Sequence, residues 1–244
     1  MFYVIRAKYI FLVLGLTILA IGSIIWFENR TLVPSFAAEQ GSALYYIVDA
    51  GHGGEDGGAV SSGGVAESGL NLAIAQKSVQ LLTFLGKNTA MTRDSERAVY
   101  SDGAATLREK KRSDLANRVE KINSYDNAIL ISIHQNSLPS SPSVQGAQVF
   151  YNGVESAQQI AGRVQADLNS AVNGAHSKQE KQISSGIYLM RQVQCPAILV
   201  ECGFLSNSAE AQRLQEQDHQ KKLAAAICAG VLRQENGETD DEGK

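Results

Sequence analysis

ALYYIVDAGHGGEDGG, from Ala43 to Gly58, decides how the rest of the chain is read. Its first eight residues are short, apolar and β-rich, and a glycine cluster breaks them at once, so they form a buried strand that ends in a loop. Working outward, Glu67 to Leu85 carries Leu70, Ile74, Leu81 and Leu85 at helical spacing, with Gly86 where a helix C-terminal glycine belongs. NTAMTR follows as a short strand, then a helix from about Leu107 to Ile122 with Leu115, Val119 and Ile122 on one face, then the apolar strand AILISIH. GAQVFYN, GIYLM and AILVECGF read as further strands, and Ile160, Val164 and Leu168 mark another helix. The chain closes with helical pattern through Leu214, Leu223, Ile227 and Val231. Alternating strands and amphipathic helices imply an α/β fold: a twisted, mostly parallel sheet with helices on both faces. Ligands bind such sheets at the strands' C-terminal edge.

The ends of the 244-residue chain bound the domain. Tyr9 to Phe27 (YIFLVLGLTILAIGSIIWF) holds no charge and follows Arg6 and Lys8. At roughly 1.5 Å per residue it just covers a hydrocarbon core of about 30 Å, and the positive-inside rule places the rest of the chain outside the membrane. A cleaved signal peptide is the rival reading, which would make the protein secreted, because Ser35-Phe36-Ala37 and Phe36-Ala37-Ala38 resemble small-residue cleavage sites. A buried core helix fits less well, since the segment is apolar on every face. The expected organisation is an anchor or signal at 1–30, a linker at 31–42, one catalytic domain at 43–234 and an acidic tail at 235–244. With 22 basic and 25 acidic residues interspersed, for a net charge of −3, no basic surface of the kind nucleic acid requires is present. Cys195, Cys202 and Cys228 are odd in number and lack CxxC spacing, so they are no disulfide scaffold.

The chemistry-bearing residues fall at strand ends. His52 lies just past the first strand, Glu67 opens the first helix, His134 ends the third strand and Glu201 ends the last. Two imidazoles and a carboxylate are a common three-ligand set for catalytic zinc, and a further carboxylate is the usual general base. Glycines around His52 let the backbone approach a metal closely, and Asp49 or Asp56 could orient the ring's other nitrogen. Taken alone, Glu67 is more often a helix N-terminal carboxylate and His134 a core histidine. Glu201 resists a bland explanation, because an unpaired acid after four apolar strand residues is costly. Asn136, two residues past His134, points to the same side and could hold a ligand or a substrate carbonyl.

Other chemistries lack their motifs. GxGxxG fails at Asp56, no GxxxxGK[ST] occurs, and no GxSxG is present. Cys202 neighbours Glu201, so the two side chains point to opposite faces and Cys202 faces packing. His176 and His219 read as surface residues, although His176 could touch substrate.

IVDAGHGGEDGGAV, Glu67 with Asn71, Thr92-Arg93, RSDLAN, SIHQNS and PAILVECGFLSN together resemble the zinc N-acetylmuramoyl-L-alanine amidases of the Amidase_3 type, from about Leu44 to Arg233. The short catalytic domain behind one N-terminal segment looks most like the germination-specific spore-cortex members. The resemblance implies zinc held by His52, Glu67 and His134, with Glu201 as the catalytic acid. It implies peptidoglycan as substrate, cut between the lactyl group of N-acetylmuramic acid and L-alanine, which agrees with the membrane-anchored, extracytoplasmic placement read from the N-terminal segment. Arg93 and Asn117, inside the shared motifs, join Asn136 as candidates for substrate or supporting contacts. One departure is Cys202, where family members often have Thr or Val. A zinc peptidase of the stem peptides and a non-catalytic wall-binding module are the rivals. Whether a second protein loads or opens the site stays open at this stage.

Overall fold

The structure, a computed structural model, describes residues 43–233. The expected membrane segment, linker and acidic tail lie outside the described residues, and among those described no helix is long and apolar enough to cross a membrane. Strand β1 (Tyr45–Ala50) leads to α1 (Glu67–Phe84), β2 (Asn88–Met91), α2 (Leu107–Asn123), β3 (Ala128–Asn136) and β4 (Gln148–Tyr151). Then follow α3 (Ala157–Leu168), β5 (Lys181–Gln182), α4 (Tyr188–Gln192), β6 (Ala197–Phe204), α5 (Ser208–Arg213) and α6 (Gln217–Leu232). The six strands form one sheet in the order β2-β1-β3-β6-β4-β5.

The first four strands of that order run parallel, whereas β4 is antiparallel to β6 and β5 runs with β4, so the sheet is mixed. The reversal has a local cause. Parallel neighbours need a crossover of a dozen or more residues, usually helical, to return the chain to the starting edge. Residues 137–147 contain Pro139 and Pro142 and no helix, so the chain turns at the C-terminal edge and descends as β4. A gap one strand wide is left beside β3, which β6 fills.

Side chains alternate across the sheet. Tyr46, Val48, Ile129, Ile131, Ile133, Ile198 and Val200 face the larger core, where Ile74, Leu82, Ile160, Val164, Leu223 and Ile227 cover them from α1, α3 and α6. Ile47, Leu130, Ala197 and Leu199 face the other way, under Ile122 of α2 and Leu189 and Met190 of α4. Helices thus lie on both faces.

Two local expectations change. GIYLM is a turn entering α4 rather than a strand, because Leu189 and Met190 are consecutive and both buried while Ile187 and Tyr188 are exposed, which a strand's alternation does not allow. Leu85 lies past the end of α1 and is exposed, and Leu82 takes the core position. Gly86, at φ +75°, closes α1 as expected: its N–H donates to Thr83 O and that of Lys87 to Leu82 O, the paired bonds of a Schellman motif.

Candidate active site at the C-terminal edge

On the second face each central strand starts apolar and ends polar. β1 runs Ile47 then Asp49, β3 runs Leu130, Ser132, His134 and Asn136, and β6 runs Leu199 then Glu201. Register sets Asp49 beside Ser132 and His134 beside Glu201. β3 runs on past His134 to Asn136, with a register shift between the two, and β6 spans AILVECGF to Phe204, so Glu201 lies inside it rather than at its end.

Glu67, the first residue of α1 and only 3% exposed, ties the candidate donors together. Its Oε1 lies 2.9 Å from His134 Nδ1 and accepts from Gln135 N at 3.1 Å and Asn71 Nδ2 at 3.2 Å. Its Oε2 accepts from Ala59 N at 2.9 Å and lies 3.3 Å from His52 Nε2. One ligand atom from each of His52, Glu67 and His134 lies within 4.8 Å of the others, and the imidazoles meet edge to face at 5.1 Å. Burial works against charge on Glu67, yet its hydrogen bonds with His134 and His52 hold the carboxyl well below the usual carboxylate range. Burial likewise opposes a charge on His52, and Glu67 and Asp56 outweigh it, raising its pKa. Asp56, not Asp49, orients His52, with Oδ2 2.9 Å from Nδ1, and Lys111 Nζ lies 3.0 Å from the same oxygen.

Such close assembly requires missing Cβ atoms. A Cβ on Gly51 would lie 2.2 Å from His134 Cε1 and Nε2, and one on Gly58, at φ +69°, would lie 2.5 Å from Glu67 Oε2. His52 itself sits at φ 61°, a left-handed conformation few non-glycine residues adopt.

The donors open onto a cleft of about 410 Å³, walled by Lys111 and Leu115 of α2 and by Ile187, Tyr188 and Leu189 before and within α4. Glu201 and Asn136 line it as well. Glu201 Oε2 is buried without a hydrogen-bond partner among the described residues. Burial, with help from Glu67 and against His134 and His52, pushes its carboxyl up to about 7. Asn136 Oδ1 accepts from Ser137 N at 2.8 Å. Arg93 and Asn117 do not line the cleft. Arg93 donates to the carbonyls of Ala50, Gly51, Ser68 and Ser95, bracing the turn before His52, and Asn117 holds Val99 O and Ser101 Oγ. Cys202 faces the larger core, where burial raises its thiol pKa, and His176 is exposed.

Arg118, which sequence reasoning passed over, sits just behind the site with Asp49 and Asp114. Asp49 Oδ1 accepts from Thr92 Oγ1 at 2.6 Å and Arg118 at 2.8 Å, and Oδ2 accepts from Ser132 Oγ at 2.6 Å. Asp114 pairs with Arg118 one helical turn away. The i, i+4 spacing of Asp114 and Arg118 was the signal available, but on a helix so charged it reads as a surface pair.

Glu201 carries a pH dependence of stability in the metal-free protein. Its carboxyl ionises near the ordinary 4.5 in the unfolded chain and near 7 in the folded one, so folding takes up a proton between those values. The contribution is present below about pH 4.5 and is lost as pH rises to about 7, on the order of 1–3 kcal/mol. Chelated Glu201→Gln protein should therefore melt higher than chelated parent at pH 8 and close to it at pH 4.5. Equal melting temperatures at pH 8 would show that the carboxylate is not destabilised.

Two imidazoles and a carboxylate within one ion's reach, with a free acid across an open cleft, are the donor arrangement of metal-dependent hydrolases. The chain belongs to the N-acetylmuramoyl-L-alanine amidase family (Amidase_3), which residues 47–233 match, and is a peptidoglycan amidase of that type. The family is generally zinc-dependent. The chain is 34% identical to the germination-specific N-acetylmuramoyl-L-alanine amidase of Bacillus subtilis over 229 residues, 93% of this chain and 94% of that one. Its fold is similar to that of the CwlD amidase from Clostridioides difficile in complex with the GerS lipoprotein, with TM-score 0.75 and 32% identity over 79% of this chain and 98% of that chain. The N-acetylmuramoyl-L-alanine amidase from Clostridium difficile 630 is also similar, with TM-score 0.69 and 26% identity over 82% of this chain and 100% of that chain.

Proposed function

We propose that this amidase cuts the bond between the lactyl group of N-acetylmuramic acid and L-alanine with zinc held by His52, Glu67 and His134 and protons moved by Glu201. The observation that carries the reading is the buried, unpartnered Oε2 of Glu201 lining the same cleft as the three clustered donors. The donor set fits zinc in number and type, leaving a coordination position open. When bound, zinc supplies the Lewis acidity that polarises the scissile carbonyl and brings the pKa of water from about 15.7 towards 7.

The chain's own residues do the rest. Glu201, with no competing donor on Oε2, accepts the proton of the attacking water. A raised pKa suits it to give that proton back to the alanine nitrogen, which is too poor a leaving group to depart as an anion. Asp56 fixes the tautomer and direction of the His52 ring.

The likeness to the germination-specific relative supports a role tied to germination, which we place in spore-cortex maturation through muramic-lactam formation. We place the domain, residues 43–234, outside the membrane, anchored by Tyr9 to Phe27. The solved relative's complex with a lipoprotein supports an accessory lipoprotein partner here too. Mass spectrometry of digested peptidoglycan tests the reaction. Expected products are free stem peptides beginning with L-alanine, released by protein containing about one zinc per chain and abolished by chelation. Stems cut internally while still joined to muramic acid would favour a zinc peptidase instead.

A further inference from the structure

His52 holds a left-handed backbone, at φ 61°, that non-glycine residues seldom adopt. A side chain outside the proposed donor set holds it there. Arg118 of α2 is 2% exposed and all five of its guanidinium N–H groups are engaged. Nε donates to Asp114 Oδ2 at 2.8 Å, and one terminal nitrogen donates to Asp49 Oδ1 at 2.8 Å and Ala50 O at 2.7 Å. The other donates to His52 O at 2.6 Å and to Asp114 Oδ1 at 3.3 Å. Asp49 is fixed in turn by Thr92 and Ser132, and Asp114 accepts from Val99 N at 2.7 Å. Arg93 braces the same turn but reaches only the carbonyls of Ala50 and Gly51 there.

We propose that Arg118 is a positioning residue of the metal site: by clamping the carbonyl of His52 to a buried pair of acids, it fixes the left-handed turn that aims the imidazole, and so sets the zinc affinity. This rests on the reading of His52 as a zinc donor. Geometry rather than charge makes arginine necessary. A planar fork reaches two acids and two carbonyls at once, whereas a lysine has a single nitrogen and cannot span them. Without any cation there, Asp49 and Asp114 would be left as buried, unpaired charges.

The test separates aim from fold by measuring zinc affinity of the full chain against a competing chelator, alongside melting of the chelated protein. Arg118→Lys keeps a positive charge for the acids, so the chelated protein should fold but melt below the parent, and at a temperature where both are folded zinc should bind about 10- to 100-fold more weakly. A second variant, Arg118→Met with Asp49→Asn and Asp114→Asn, removes all three charges together. It too should fold, and should also bind zinc weakly, so the result does not depend on one substitution folding. Parental zinc affinity in either folded variant would overturn the proposal while leaving the metal site standing. A parent protein that binds no zinc would overturn the metal-site reading itself, and the clamp with it.

Discussion

Glu201→Gln is expected to keep its zinc and lose turnover by about 10² to 10⁴, the usual worth of a general base. The amide matches the carboxylate in shape and can still hydrogen-bond, so neither the strand nor the cleft should change. The three donors assemble around Glu67 without Glu201, since their ligand atoms lie within 4.8 Å of one another and Glu201 is not among them. Metal content should therefore be untouched. If Glu201 were a ligand, the neutral amide would weaken binding, because carboxylate charge helps hold the ion. Zinc content and muropeptide release measured in the same preparation decide between the two roles. Release at near parental rate would remove Glu201 from proton transfer altogether.

Gly51→Ala is expected to empty the site as thoroughly as His134→Ala, although residue 51 donates nothing to a metal. A Cβ there would lie 2.2 Å from two ring atoms of His134, far inside van der Waals contact, so either the backbone or the ring must move. The backbone is pinned. Gly51 N donates to Ile133 O at 3.0 Å, and Gly51 O accepts from Arg93 at 3.0 Å and Asn71 at 3.1 Å. The ring should swing away from Glu67 and take a donor out of the cluster. Both variants should retain the circular dichroism of the folded sheet while losing zinc and activity. Full zinc occupancy in Gly51→Ala would show that the ring has a second productive position, and in His134→Ala that His134 is no donor.

Sequence reading works where one period dominates. β1, β3 and β6 are largely apolar because helices cover both sheet faces, and His134 and Glu201 stand out as the ionisable residues near the ends of β3 and β6. His52 and Glu67 were legible by their places instead, just past β1 in a glycine cluster and at the start of α1. GIYLM misleads because four apolar residues in five suit a strand, while its actual form depends on Leu189 and Met190 filling the space under the sheet. The reversal at β4 has no periodic signal, only two prolines in a polar stretch. Arg118 was hidden more deeply. It stands in a helix reading LREKKRSDLANRVEKIN, where charge suggests solvent, and its burial depends on Asp49, 69 positions earlier.

The slot that β4 leaves beside β3 has a consequence for when the enzyme becomes active. All three proposed donors are present once residue 134 has been made, but the proposed proton shuttle arrives only with β6, which pairs between β3 and β4. Until it does, β3 is an open edge and one wall of the cleft is absent. Pairings this distant along the chain form late in folding. A chain not yet folded through β6 can thus gather the proposed ligands without the acid proposed to move protons, and stays inert until its last strand is in place.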